Sequence, residues 1–226
     1  MMKEAQLEAH VIELGAGLAA GEEVGILDDP AASEARSWLL MIARAVSIVF
    51  GPPIIAAGEL LLATRIDPGL FHGPLAIAFP ASMILVACLF VVGLRLGGHI
   101  GSLDLTARSD RPLPSFFAMG CSALVTWGFI ASGVTHLLAV VAAAVTIQFL
   151  ALAVVSLLWK ISYHSAMVGT LFLTAALAGR SDIMAPLAVL SATVVWARVY
   201  LGRHSWRQAV AGFATAGVLL MVPRWL

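Results

Sequence analysis

Two histidines, two arginines and a serine stand out in this chain, because their types suit phosphoryl transfer. Arg198 precedes His204 by five intervening residues, and Gln208 follows after three more, in the run WARVYLGRHSWRQAVAG. Earlier come Ile161-Ser162-Tyr163-His164 and, earlier still, Asp104 with six residues before Arg111-Pro112. Arginine offers forked donors to an oxyanion, most naturally phosphate. Imidazole titrates near neutral pH, so His164 and His204 can divide the roles of nucleophile and general acid. Ser162 adds a donor. Only Asp104 and Asp110 supply carboxylates nearby, too few for a divalent-cation cage, so no metal and no cofactor is expected. Two arginines, two histidines and no metal point to transfer through a phosphohistidine.

Side chains so far apart in sequence need a scaffold, and composition names its class. Hydrophobic residues make up 61% of the 226 and charged residues 12%, with a mean hydropathy of +0.97. One soluble core could not hide that much apolar surface, so lipid must cover the remainder. Seven apolar stretches are long enough to be candidate spans, at about 38–63, 73–96, 114–133, 136–159, 166–180, 183–201 and 208–223. The expected fold is an all-α, polytopic transmembrane bundle of six to seven spans. Gly51-Pro52-Pro53 predicts a kink or break in the first stretch. Connections after the second, fourth and sixth stretches carry the polar residues. Two spans separate each from the next, so all three groups should emerge on one membrane face, and ionisable groups at that depth mark function.

The charge distribution separates a head from this body. Residues 1–34 hold eight acids against Lys3 alone, leaving 12 bases and five acids in the remaining 192 residues. Residues 1–36 therefore read as an acidic soluble segment and 37–226 as the membrane domain. Leu7, Val11, Leu14 and Leu18 recur at helical spacing in the head, while Glu4, Glu8 and Glu13 exclude a signal peptide. Cys88 and Cys121 fall in apolar spans and read as small buried hydrophobes. His10, His72, His99 and His136 read as structural, Lys160, Arg203 and Arg207 as interfacial anchors, and Arg44 and Glu59 as snorkelling side chains. No basic, aromatic surface cluster supports a nucleic-acid partner.

The three short motifs resemble those of the type 2 phosphatidic-acid phosphatase superfamily, membrane phosphatases related in fold to vanadium haloperoxidases. That family carries Lys, six residues, Arg-Pro; then Pro-Ser-Gly-His; then Ser-Arg, five residues, His, three residues, Asp. Order and internal spacing match over about residues 95–215. The resemblance implies that His204 attacks phosphorus, that His164 protonates the leaving alcohol, and that Arg111, Arg198 and Ser162 hold the phosphate oxygens. Three positions depart from the pattern. Asp104 replaces the lysine and is expected to orient Arg108 or Arg111. Tyr163 replaces the glycine. Gln208 replaces the aspartate and, one turn from His204, is expected to accept the Nδ1–H bond.

The activity implied is metal-independent release of phosphate from a polyprenyl or glycerolipid phosphate or diphosphate at the bilayer surface. The alternative is a non-catalytic or weakly active relative that binds phospholipid headgroups with the same arginines. A transporter ranks last, because the charges do not line a path at mid-depth. Excess Lys and Arg on the active face, counted apart from Arg111 and Arg198, predict that it faces the cytoplasm.

Overall fold

The computed structural model describes residues 30–66, 75–133 and 135–217. The amphipathic pattern of the acidic head, His10, His72 and the end of the last apolar stretch lie outside them. By its internal contacts the chain divides into Met1–Ile42 and Ala43–Leu226. Packing is described below for the second unit only.

The described residues hold helices and no strand. In chain order they are α1 (Pro30–Val49), α2 (Pro52–Ile66), α3 (Leu75–Leu96), α4 (Pro112–Ser132), α5 (His136–Leu158), α6 (Tyr163–Leu177), α7 (Ser181–Tyr200) and α8 (Trp206–Ala214). A 3₁₀ turn, Thr215–Gly217, follows α8. Four of these are long and apolar enough to cross a bilayer: α3, α4, α5 and α7. The α1–α2 pair makes a fifth if its halves, bent by 53° at the break, are one span. The Gly51-Pro52-Pro53 break is where the sequence puts it, since neither proline can donate to the preceding turn. The described residues thus supply four or five of the six to seven crossings expected. Helix α6 has 15 residues, about 22 Å of rise against roughly 30 Å of hydrocarbon. Helix α8 has nine.

Helix α6 can be short because protein, not lipid, surrounds it. Ten of its residues are buried, among them Met167, Val168, Leu171 and Ala175, which pack with Ile55 and Leu62 of α2 and Val194 of α7. A buried amide from α5 serves two of its polar groups, the Ala166 carbonyl and the Thr170 hydroxyl. Gln148 of α5 donates to the Ala166 carbonyl (3.3 Å) and to Thr215 Oγ1 (2.9 Å), and accepts from Thr170 Oγ1 (2.7 Å). Buried amides kept this fully partnered fix helix register as well as adding stability. Glycines then let α8 press onto α6. A Cβ at Gly212 would collide with the Ser162 carbonyl, and one at Gly169 would crowd Phe213. Lipid-facing surface lies elsewhere, as in α3, where Leu85, Leu89 and Leu96 are exposed. These long, outwardly apolar helices make the chain a helical membrane protein.

Cys121 is buried and Cys88 half-buried, and neither is in a disulfide. Glu59 does not snorkel: both its carboxyl oxygens are closed off from solvent.

Candidate functional site

The end of α7 builds the first part of the site through a local turn. Helix α7 stops at Tyr200, and Gly202 takes the left-handed conformation (φ 64°) that a side chain would resist. Gly202 N–H donates to the Val199 carbonyl (2.9 Å) and Arg203 N–H to the Arg198 carbonyl (3.1 Å), the pairing of a Schellman motif. His204 N–H also donates to the Arg198 carbonyl (3.2 Å). The five-residue spacing between Arg198 and His204 is therefore the length of one helix-ending turn, which folds the histidine back over the arginine.

Ser205 then caps α8. Its Oγ accepts from Gln208 N–H (3.3 Å), while Gln208 Oε1 accepts from Ser205 N–H (3.0 Å). This reciprocal capping box satisfies two amides that α8 would otherwise leave unpaired. It also corrects the sequence expectation for Gln208, whose amide oxygen serves the helix start and not His204. Nδ1 of His204 is buried without a hydrogen-bond partner.

The second part is the start of α6. Ser162 is its N-cap, with Oγ accepting from Ser165 N–H (3.3 Å) and Ser165 Oγ–H (3.0 Å). Its own N–H donates to the Gln208 carbonyl (3.3 Å), tying α6 to α8. Two residues on, His164 is buried, and its Nε2 lies 3.1 Å from the carbonyl of Ser47. That carbonyl is free because the α1–α2 break diverts Gly51 N–H to Ile48 (3.3 Å), away from the α-helical acceptor four residues back. Since a carbonyl can only accept, Nε2 of His164 carries a proton.

The α3–α4 connection completes the site, held by long-range bonds. Arg111 donates from Nε to the Leu105 carbonyl (2.9 Å) and from Nη1 to the Ile161 carbonyl. Its guanidinium lies 5.9 Å from the Tyr163 ring centroid, within cation–π range. Tyr163, where the family pattern has glycine, points its hydroxyl between α4 and α5, bonded to Ser115 Oγ and to Ser156 Oγ (3.0 Å). A side chain at this position thus buttresses Arg111. Arg108 donates to the Leu158 carbonyl at the end of α5 (2.6 Å).

Asp104 orients neither Arg108 nor Arg111, contrary to expectation. Both its oxygens lie 3.1 Å from Nη1 of Arg198, which also donates to Ser47 Oγ. The carboxylate is 3.8 Å from His164 Nε2 and 3.8 Å from Arg203 Nε. Arg108 and Arg111 have turned to backbone carbonyls, which leaves the carboxylate to the cations of the other segments. Nε of Arg198 remains buried and unpartnered.

The structure therefore brings Arg111, Ser162, His164, Arg198, His204, Gln208 and Asp104 to one end of the helices, with Gln208 engaged through its backbone and its cap. Among the described residues, no group of three or more metal-ligating side chains forms. Burial, then Arg111, Arg198, Lys160 and His164, push the His204 imidazole down to about 3, so it stands neutral among cations. Lys160 is lowered too, first by burial and then by Arg111, Arg198 and Arg203. Lys160 and Arg203, read from sequence as anchors, thus belong to the electrostatics of the site. Ser47 belongs to it as well. No feature of the surrounding sequence singles out that serine, although Gly51-Pro52-Pro53 beside it predicts a break.

Comparison with known protein families, with curated proteins and with solved structures finds no match for this chain.

Proposed function

We propose that this protein is an integral membrane phosphatase that releases inorganic phosphate from a lipid phosphate or diphosphate, polyprenyl or glycerolipid, without a metal. The observation that carries the reading is a buried His204, folded back over Arg198 by the helix-ending turn and kept neutral by burial and by the charges of Arg111, Arg198 and Lys160. A bare imidazole nitrogen in a cationic, water-poor pocket is the arrangement a phosphorus nucleophile needs. The bundle crosses the bilayer six or seven times, with this site on its cytoplasmic face, where a headgroup lies.

In the reaction, Nε2 of His204 attacks phosphorus and the bond from phosphorus to the leaving oxygen breaks. His164, protonated beside the bound phosphate dianion, gives its proton to that oxygen. Water then attacks the phosphohistidine and loses its proton to His164, freeing phosphate and restoring His204. The buried Nε–H of Arg198 has no partner and is available to the transferring oxygens. Arg111 contributes its charge while its donors hold two carbonyls.

A second reading, a relative that binds phospholipid headgroups without turnover, is favoured by one observation: Nδ1 of His204 meets no acceptor. Without one, nothing but the phosphate itself compensates the developing imidazolium. Phosphate release from a panel of lipid phosphates, in chelator and with His204→Ala as control, separates the two. The phosphatase reading expects release that the substitution abolishes. Headgroup binding without release would favour the second.

A further inference from the structure

The carboxylate of Asp104 stands where an anionic ligand would have to stand. It faces Arg198 at 3.1 Å, and His164 and Arg203 at 3.8 Å each, and it shares the field of Arg111 and Lys160. Arg198 is 1% exposed on its side chain and Asp104 31%, so the acid forms the outer member of the pair, on the side a ligand would enter from. Its placement is built rather than incidental. The next residue, Leu105, holds φ at 48°, a left-handed conformation costly for a branched side chain. The same residue's carbonyl anchors Arg111.

We propose that Asp104 is a surrogate anion that selects the ligand by charge: a phosphate monoester dianion displaces it, and a phosphodiester monoanion does not. The proposal rests on the phosphatase reading and names the substrate class within it. A monoester loses its second proton at a pKa of about 6, so it carries nearly two charges at neutral pH. A diester, the headgroup linkage of ordinary phospholipids, carries one from its phosphate. Against the cations, one charge only matches what Asp104 already supplies, whereas two exceed it. Bulk phospholipid, present at far higher concentration than any lipid phosphate, is thereby kept out of a site that opens at its own depth. Discrimination of this kind comes from an unfavourable interaction with the wrong ligand, not from extra contacts to the right one.

The test is anion-dependent thermal stability of the full chain in detergent, with tungstate as the dianion and dimethyl phosphate as the monoanion. Wild type is expected to be stabilised by tungstate and not by dimethyl phosphate at the same concentration. Asp104→Asn removes the internal anion. It should melt lower when anion-free, regain stability with either probe, and bind dimethyl phosphate about tenfold more tightly or better, because one unit of like charge has left a contact of a few ångströms. If Asp104→Asn and wild type rank the two anions alike with unchanged affinities, the proposal is overturned. In that event, continued metal-free phosphate release would leave the phosphatase reading standing. If neither protein is stabilised by either anion, both ideas fall together. Should Asp104→Asn not survive purification, it is prepared in tungstate throughout. A protein that stays folded until tungstate is withdrawn supports the surrogate role, and one that fails to fold with tungstate present contradicts it.

Discussion

The two segments that carry the arginines are built in opposite ways. The turn from Arg198 to Gln208 is closed by its own neighbours: a Schellman pairing at Gly202, a double acceptance by the Arg198 carbonyl, and a capping box from Ser205 to Gln208. The α3–α4 connection, Gly97 to Arg111, has short internal bonds but depends on distant partners for its shape. Arg108 and Arg111 each bond a carbonyl 50 positions away, and Asp104 meets an arginine 94 positions away. One half of the site is therefore specified locally and should form wherever α7 and α8 form. The other half exists only once the bundle has assembled. In the mechanism proposed above, the rigid half presents the nucleophile, and the dependent half presents the charge that responds to ligand.

The largest effect expected falls on the joint between the halves. Gly212→Leu drives a side chain into the Ser162 carbonyl, separating α8 from the start of α6. Glycine-to-larger substitutions inside a helix usually stabilise it by up to about 1 kcal/mol. Here the sign should reverse, with phosphate release lost and the melting temperature lowered. An active, more stable variant would show that the two helices need not touch.

Arg111→Ala should break the dependent half alone. Two charge-assisted bonds disappear, one buried and one part-buried, at a cost of about 3 kcal/mol. Hydrogen exchange is expected to rise sharply in residues 97–111 and to stay slow in the Schellman turn. Equal exposure of both segments would contradict the division into a local and a borrowed half.

Titration of His204 tests the rigid half. Its imidazole is held down to about 3 in the folded, anion-free protein, against about 6.5 when unfolded. Between those values the unfolded chain binds a proton that the folded chain does not, so stability falls as pH drops below about 6.5. At pH 5 the loss should be about 1–2 kcal/mol relative to pH 7. His204→Ala should remove that part of the slope, read from melts at both pH values. An identical slope in the variant would mean that His204 is not held neutral.

Gln208 gives the smallest effect. As a cap partner it should cost about 1 kcal/mol when changed to Ala, with Gln208→Glu preserving the box and the stability. A collapse of activity without a change in stability would return Gln208 to the side of His204.

This contrast also explains what the sequence discloses. Apolar runs mark α3 to α7, and Gly51-Pro52-Pro53 marks the break, because length and backbone chemistry are local properties. The motif residues lie at the helix ends that those runs define, so their gathering could be read from span order. Gln208 is ambiguous in sequence: the spacing of the phosphatase motif it resembles points it at His204, while Ser205-x-x-Gln208 is also a helix-start pattern. The cap uses an amide three residues away, and it prevails. The partner of Asp104 was not legible, since nothing near position 104 refers to Arg198, Ser47 or Arg203. Nor does α6 announce in its own residues that neighbours will bury it. Its 15 residues, most of them apolar, would suit lipid as well as protein.

In the proposed mechanism His204 accepts the phosphoryl group, and trapping that intermediate tests it most directly. Wild-type protein mixed briefly with a lipid phosphate in chelator, then quenched in alkali where phosphohistidine survives, should carry one phosphate on the peptide containing His204. Steady phosphate release with no phosphate on that peptide, or release undiminished in His204→Ala, would contradict it.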